Sequence, residues 1–164
     1  MFTRLLLTYF ICGLTTVNYC AYAEDTAIIE DQNGCRIYNP APQENETVEW
    51  SGSCADGYAN GKGILDWFIG KTLTEKYVGE MKHGWAEGKG TLTSTNGIMY
   101  EGEWRQSQQD GQGKQKMPDG STYSGEWKNG KPHGLGTYVS SDGRIVSGQW
   151  EDGNLISEAD AHRI

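Results

Sequence analysis

Apolar and polar positions in this chain alternate in twos rather than recurring in threes and fours. In Tyr123-Ser-Gly-Glu-Trp127 the two rings and the glycine fall on one side, with Ser124 and Glu126 on the other, which is the period of a β-strand. Lys128 to His133 gathers Asn, Gly and Pro and reads as a turn, and Gly134-Leu-Gly-Thr-Tyr-Val139 reads as a return strand. Ser140-Ser-Asp-Gly143 turns again, and Asp-Gly is a strong hairpin signal because it tolerates positive φ. Connections this short force neighbouring strands to run antiparallel.

The same unit recurs along the chain. Tyr77-Val-Gly-Glu-Met81, Tyr100-Glu-Gly-Glu-Trp104, Tyr123-Ser-Gly-Glu-Trp127 and Val146-Ser-Gly-Gln-Trp150 open successive units at a spacing of 23 residues. Paired glycines keep the same phase at Gly88/Gly90, Gly111/Gly113 and Gly134/Gly136, as do the turn dipeptides Asn96-Gly97, Asp119-Gly120 and Asp142-Gly143. A degenerate earlier unit, Trp50-Ser-Gly-Ser-Cys54, precedes them with a short insertion near Asp66 to Gly70. A fixed period of this length marks a repeat array. The prediction is all-β: an elongated antiparallel meander of roughly ten strands, advancing about 10 Å per hairpin.

The glycines have a physical role in such a meander. Gly79, Gly102 and Gly125 share a face with the rings of their strands, and the paired glycines of the return strands are expected to share one face too. A bare backbone leaves room for a ring to lie flat, so aromatic area is buried without a second sheet. Tyr77, Tyr100, Trp104, Tyr123, Trp127, Tyr138 and Trp150 are therefore the candidate aromatics. One reading makes them simply the core. The other lets some line an open groove for a peptide or a sugar ring.

These Tyr-x-Gly-x-Trp-x-x-Gly-x-x-x-Gly-x-Gly units resemble MORN repeats (membrane occupation and recognition nexus), over about residues 50 to 153. Met81 stands where Trp is usual, Ser107 where Gly is usual, and Trp50 and Cys54 replace Tyr and Trp in the first unit. The resemblance implies an antiparallel meander with an aromatic-lined groove. It also implies a scaffold, dimerisation or targeting role, with any enzymatic activity in separate domains. Phospholipid binding has been proposed for the family.

Arg4, the apolar run Leu5 to Leu14 and the small-x-small site Ala21-Tyr-Ala23 predict a signal peptide cleaved after Ala23. The run is shorter than the ~20 residues of a spanning helix. Periplasmic or secreted location is expected. The organisation read from the sequence is a leader over 1–23, a cap over 24–49, the array over 50–153 and a polar, frayed tail over 154–164, which leaves no length for a second domain. Cys12 and Cys20 leave with the leader. Cys35 and Cys54 remain as one even pair, which in an exported chain suggests a disulfide, the alternative being two buried thiols. Such a bridge would tie the cap to the array.

Composition narrows the function. The chain has 164 residues with 23 Gly, 6 Trp and 9 Tyr, too rich in large rings for disorder. A net charge of −8 argues against nucleic acid and against simple attraction to anionic lipid. No nucleophile–base, zinc or phosphate-loop pattern is present. His83 and His133 sit at different phases of the repeat and read as surface turns. Glu80, Glu103 and Glu126, ~10 Å apart, are too far apart to share a proton or a metal and read as a solvated row, with Lys114 near Glu103. Asn45-Glu-Thr47 is a glycosylation sequon that chance explains. The expectation is a non-enzymatic exported interaction module without cofactor or metal, binding a protein partner or a second copy. Membrane-surface or glycan binding is the alternative.

Overall fold

A computed structural model describes residues 27–39 and 41–159, and among these there is no helix. The leader with its cleavage site, Cys12 and Cys20 lie outside the described residues. Thirteen strands form one sheet. In chain order they are β1 (Ala27–Glu30), β2 (Arg36–Asn39), β3 (Glu46–Trp50), β4 (Ser53–Ala55), β5 (Tyr58–Ile69), β6 (Thr72–Lys82) and β7 (Trp85–Ser94). Then follow β8 (Met99–Arg105), β9 (Gln108–Lys116), β10 (Thr122–Lys128), β11 (Lys131–Val139), β12 (Ile145–Glu151) and β13 (Asn154–Glu158). From β5 to β13 each strand pairs antiparallel with the next, so the predicted meander is the fold.

Register is carried by glycine. Gly63, Gly79, Gly90, Gly102, Gly113, Gly125, Gly136 and Gly148 pair in series across eight strands, one continuous row along the ribbon. Within a unit the opening strand and its return strand do not match residue for residue. Between Gly102↔Gly113 and Trp104↔Gln109 the return strand carries two extra residues, and the same bulge recurs between Gly79/Met81 and Gly125/Trp127 and their partners.

The two edges of the ribbon use different turns. On one edge His83-Gly84, Gln106-Ser107, Asn129-Gly130 and Asp152-Gly153 all have positive φ at both central residues, the type I′ geometry whose twist matches that of the strands. The expected turn over Lys128 to His133 therefore shrinks to Asn129-Gly130, and Lys131, Pro132 and His133 belong to β11. These turns are stitched to the preceding unit, since the amides of Gly84, Ser107, Gly130 and Gly153 donate to the carbonyls of Ala59, Ala86, Gln109 and Pro132. On the other edge the three equivalent turns after β7, β9 and β11 each have one positive-φ residue, Gly97, Gly120 and Gly143. Asn96, Asp119 and Asp142 instead accept the amides of Ile98, Ser121 and Arg144 through their side chains, at 2.9–3.3 Å.

The cap is a hairpin, β1–β2, joined to the array by the Cys35–Cys54 disulfide, whose Cα atoms lie 5.6 Å apart. Arg36 holds it there by donating to the carbonyls of Gly57 and Asp56 at 2.9 and 3.0 Å, and the Tyr38 amide donates to Gly84 O. Cys54 occupies the Trp position of the first unit by register, as Cys54↔Ala59 matches Met81↔Ala86 and Trp104↔Gln109. The insertion near Asp66–Gly70 lengthens the β5–β6 hairpin and lets β3 pair with its far half. At the other end Asn154–Glu158, expected to fray, forms β13 on β12. The β-ladder supplies its hydrogen bonds although the segment lacks the repeat signature.

Candidate interaction surfaces

Side chains on one face of the sheet are the core. Tyr77, Tyr100 and Tyr123 lie over the glycine pairs Gly79/Gly90, Gly102/Gly113 and Gly125/Gly136, and each hydroxyl donates to the carbonyl three residues on (Glu80, Glu103, Glu126) at 3.0 Å. The indoles stand upright between them. Trp104 meets Tyr77 and Tyr100 edge-on, Trp127 meets Tyr100 and Tyr123, and Trp150 meets Tyr123, with centroids 5.1–5.3 Å apart. Trp104, Trp127 and Trp150 also donate from Nε1 to the carbonyls of Gly90, Gly113 and Gly136 of the preceding unit, at 3.0–3.2 Å. A single layer thus obtains a dry interior, because edge-to-face rings pack well and their polar atoms are satisfied by backbone. Trp50 takes the tyrosine role in the first unit, lying over Gly52 and Gly63.

Burial decides between the two readings of these rings. Tyr100 and Tyr123 are 0–1 % exposed, and Tyr77, Trp104 and Trp127 are buried as well. Desolvation accordingly pushes the hydroxyls of Tyr77, Tyr100 and Tyr123 above the usual tyrosine range. These five rings are core. Only Tyr138 and Trp150 are partly exposed among the candidates, and Tyr138 lines a cavity of about 360 Å³ with Val146 and the Ser140–Arg144 loop.

The return-strand glycines divide between faces, contrary to the expectation that they share one. Gly90, Gly113 and Gly136 lie under tyrosines, whereas Gly88, Gly111 and Gly134 have positive φ and lie against Glu80, Glu103 and Glu126. The two-residue bulge turns the first glycine of each pair towards the opposite face. The glutamate row is therefore more than a solvated edge. Glu126 accepts the Leu135 amide at 3.0 Å and Glu103 the Gln112 amide at 3.4 Å, which satisfies donors that the bulge leaves out of the ladder. Lys114 stands opposite Glu101, and Glu103 opposite Lys89, because the Gly102↔Gly113 and Gly90↔Gly102 pairs set the register.

This second face carries an open groove of about 560 Å³. Its floor is the backbone of Gly90, Gly102 and Gly113. One wall is Val78, Thr91, Glu101, Lys114 and Ser124, and the other is Lys89, Glu103 and Gln112. It runs across the strands, along the ribbon, and contains no ring. One of the two sequence readings set a groove among the aromatics, whereas this groove lies on the polar face. The signal that could have found it is the glycine row itself, since a residue without a side chain leaves both faces low.

A family model for the MORN repeat matches residues 77–99, 100–122 and 123–143. Residues 77–143 are MORN repeats. No curated protein matches the chain. The MORN units so matched run from within β6 to the turn after β11, the stretch that holds the groove and, but for Trp150, the interlocked tyrosines and tryptophans. MORN repeats generally mediate protein or membrane interactions and are generally non-enzymatic. Where the cap meets the first matched unit, His83 of that unit stacks on Tyr58 with centroids 4.0 Å apart, in a partly exposed set with Tyr38 and Trp85. His83 and His133 come from different phases, one in a turn and one in β11. Among the described residues no group of three or more His, Cys, Asp or Glu is placed to hold a metal ion, and no helix is long and apolar enough to cross a membrane.

Proposed function

We propose that the chain is an exported, non-enzymatic interaction module, a rigid β-ribbon that holds a protein partner or a second copy. The observation that carries this reading is the division of labour between faces. The aromatic face closes on itself as core, and the opposite face offers a groove whose floor is glycine backbone and whose walls are polar side chains and the exposed Val78. Export is supported by Arg4, the Leu5–Leu14 run and Ala21-Tyr-Ala23 in the sequence, and by the Cys35–Cys54 bridge, a bond that persists in oxidising compartments.

Two measurements test the proposal. Expression of the whole chain in a secreting host should release a product beginning at Glu24, and a cytosolic product retaining Met1 would refute export. In-cell cross-linking of the tagged protein should give intermolecular links at Lys89, Lys114 and Lys116 of the polar face. A protein that forms no such link and scatters light as a monomer would refute the interaction role.

A further inference from the structure

We propose that the glycine-floored groove receives a polyproline II segment carrying Lys or Arg at every third residue. This rests on the interaction-module reading and names its ligand class. The walls of the groove are residues two apart on each strand, about 7 Å from one another. That width admits an extended backbone and excludes an α-helix, which is about 10 Å across with its side chains. Across the ribbon the chemistry repeats every second strand, at about 9.6 Å. A polyproline II helix advances ~3.1 Å per residue, so ~9.3 Å per three-residue turn. A β-strand laid in the groove repeats at about 7 Å and falls out of phase within one step.

Charge fixes which side chain meets the repeat. Glu103 lines the groove, and Glu80 and Glu126 continue its row on β6 and β10 beyond the lining residues, at that interval. Glu103 and Glu126 each commit one carboxylate oxygen to a bulge amide and keep a second for a ligand, and the exposed Glu80 pairs at 3.3 Å with the still more exposed Lys62. The strands between them are not acidic in this row. Lys89 stands opposite Glu103 and Gln112 opposite Glu126. Lys114 lies on the facing wall. A continuous basic run would meet Lys89 and Lys114, whereas cations three residues apart meet the glutamates and pass over them. The spacing, rather than bulk acidity, is the basis of selection.

The test is fluorescence anisotropy of the full-length protein with labelled synthetic peptides of equal lysine number. One is built of Pro-Pro-Lys, and two others place Lys at every second and every fourth residue. The Pro-Pro-Lys peptide is expected to bind at least tenfold tighter than the others. The triple variant Glu80→Gln, Glu103→Gln, Glu126→Gln should lose about tenfold, since exposed ion pairs contribute a few-fold each. Gln retains the acceptor for the bulge amides, and an unchanged circular dichroism spectrum would verify the fold. The control Glu44→Gln, Glu49→Gln, Glu158→Gln removes the same charge elsewhere and should leave binding unchanged. Equal binding of all three spacings, no binding, or an unaffected groove variant each overturns the proposal. Persistence of cross-links on the polar face alongside any of these results would show that the ligand assignment has failed while the interaction module stands.

Discussion

A methyl group added at Gly113 tests the physical claim on which the fold rests. An alanine Cβ there would lie 2.6 Å from Cε2 and Cζ of Tyr100, far inside van der Waals contact. Tyr100 cannot move aside easily. Its ring is fully buried, its hydroxyl donates to Glu103 O at 3.0 Å, and Trp104 and Trp127 bracket it at 5.1 and 5.2 Å. Overpacking of this kind costs typically 1–3 kcal/mol, and the lost edge-to-face contacts add about 0.5–1.5 kcal/mol. Gly113 has an ordinary strand φ, so alanine relieves chain entropy by about 0.5–1 kcal/mol. The net loss for Gly113→Ala is therefore about 2 kcal/mol, or on the order of 5 °C in the melting temperature for a domain of this size. The comparison is Gly120→Ala, where an added Cβ meets nothing within 4 Å but φ is +88°, which should cost about 1 kcal/mol through backbone strain alone. The decisive arm uses the background Tyr100→Ala, which removes the obstacle. There the Gly113→Ala change should become neutral or stabilising. Thermal melts followed by far-ultraviolet circular dichroism read the parent and the four variants. A Gly113→Ala effect that stays destabilising without the Tyr100 ring would refute the ring-over-glycine account.

Three further outcomes follow from the same geometry. Ser107 holds φ at +60° in a type I′ turn while its hydroxyl accepts the Ala86 amide at 3.0 Å; Ser107→Gly should sit within about 0.5 kcal/mol of the parent, as relief and loss offset, and Ser107→Ala should be less stable than Ser107→Gly by ~1 kcal/mol in the same melts. Replacing Cys35 and Cys54 by Ser should reduce stability by about 3 kcal/mol on the chain-entropy model and raise hydrogen exchange in β1 and β2 before β8 to β11; equal protection in the cap would contradict its dependence on the bridge. Burial raises the hydroxyls of Tyr77, Tyr100 and Tyr123, so the folded state keeps protons that the unfolded chain releases near pH 10. Stability is then complete below about pH 10 and falls as pH rises further, and tyrosinate absorbance from these three should appear together with unfolding rather than before it.

What was legible in the sequence is what each residue does with its nearest neighbours. The period, the antiparallel order and the Cys35–Cys54 pairing follow from strand alternation, short turns and an even cysteine count, and the structure reproduces them. Turn chemistry was legible only in part. Pro132 and Lys131 look like turn formers, yet a type I′ turn needs just Asn129-Gly130, and Trp127↔Pro132 pairing draws both into β11. Faces were legible only up to the first bulge. Two unpaired residues in each return strand invert the side on which Gly88, Gly111 and Gly134 present themselves, and no composition or period reports a bulge in advance.

The location of the groove follows from that inversion. Rings can fill the space over glycine on one face only, because Tyr100 needs the Glu103 carbonyl and the edges of Trp104 and Trp127 to stay there. Once they have done so, the same glycines leave a trough on the reverse side, bounded by whatever the alternation places two residues apart. The residues that stabilise the ribbon and those that can contact a partner are thus neighbours on one strand pointing in opposite directions. A change in the walls, such as at Glu101 or Lys114, can alter recognition without touching the zipper. A change at Gly102 acts on both faces at once, since an added Cβ on the core side would lie 2.6 Å from Gln112 O and displace the floor. Positions such as Glu101 and Lys114 are thus separable from the packing, whereas Glu103 and Glu126, which accept bulge amides, serve both faces.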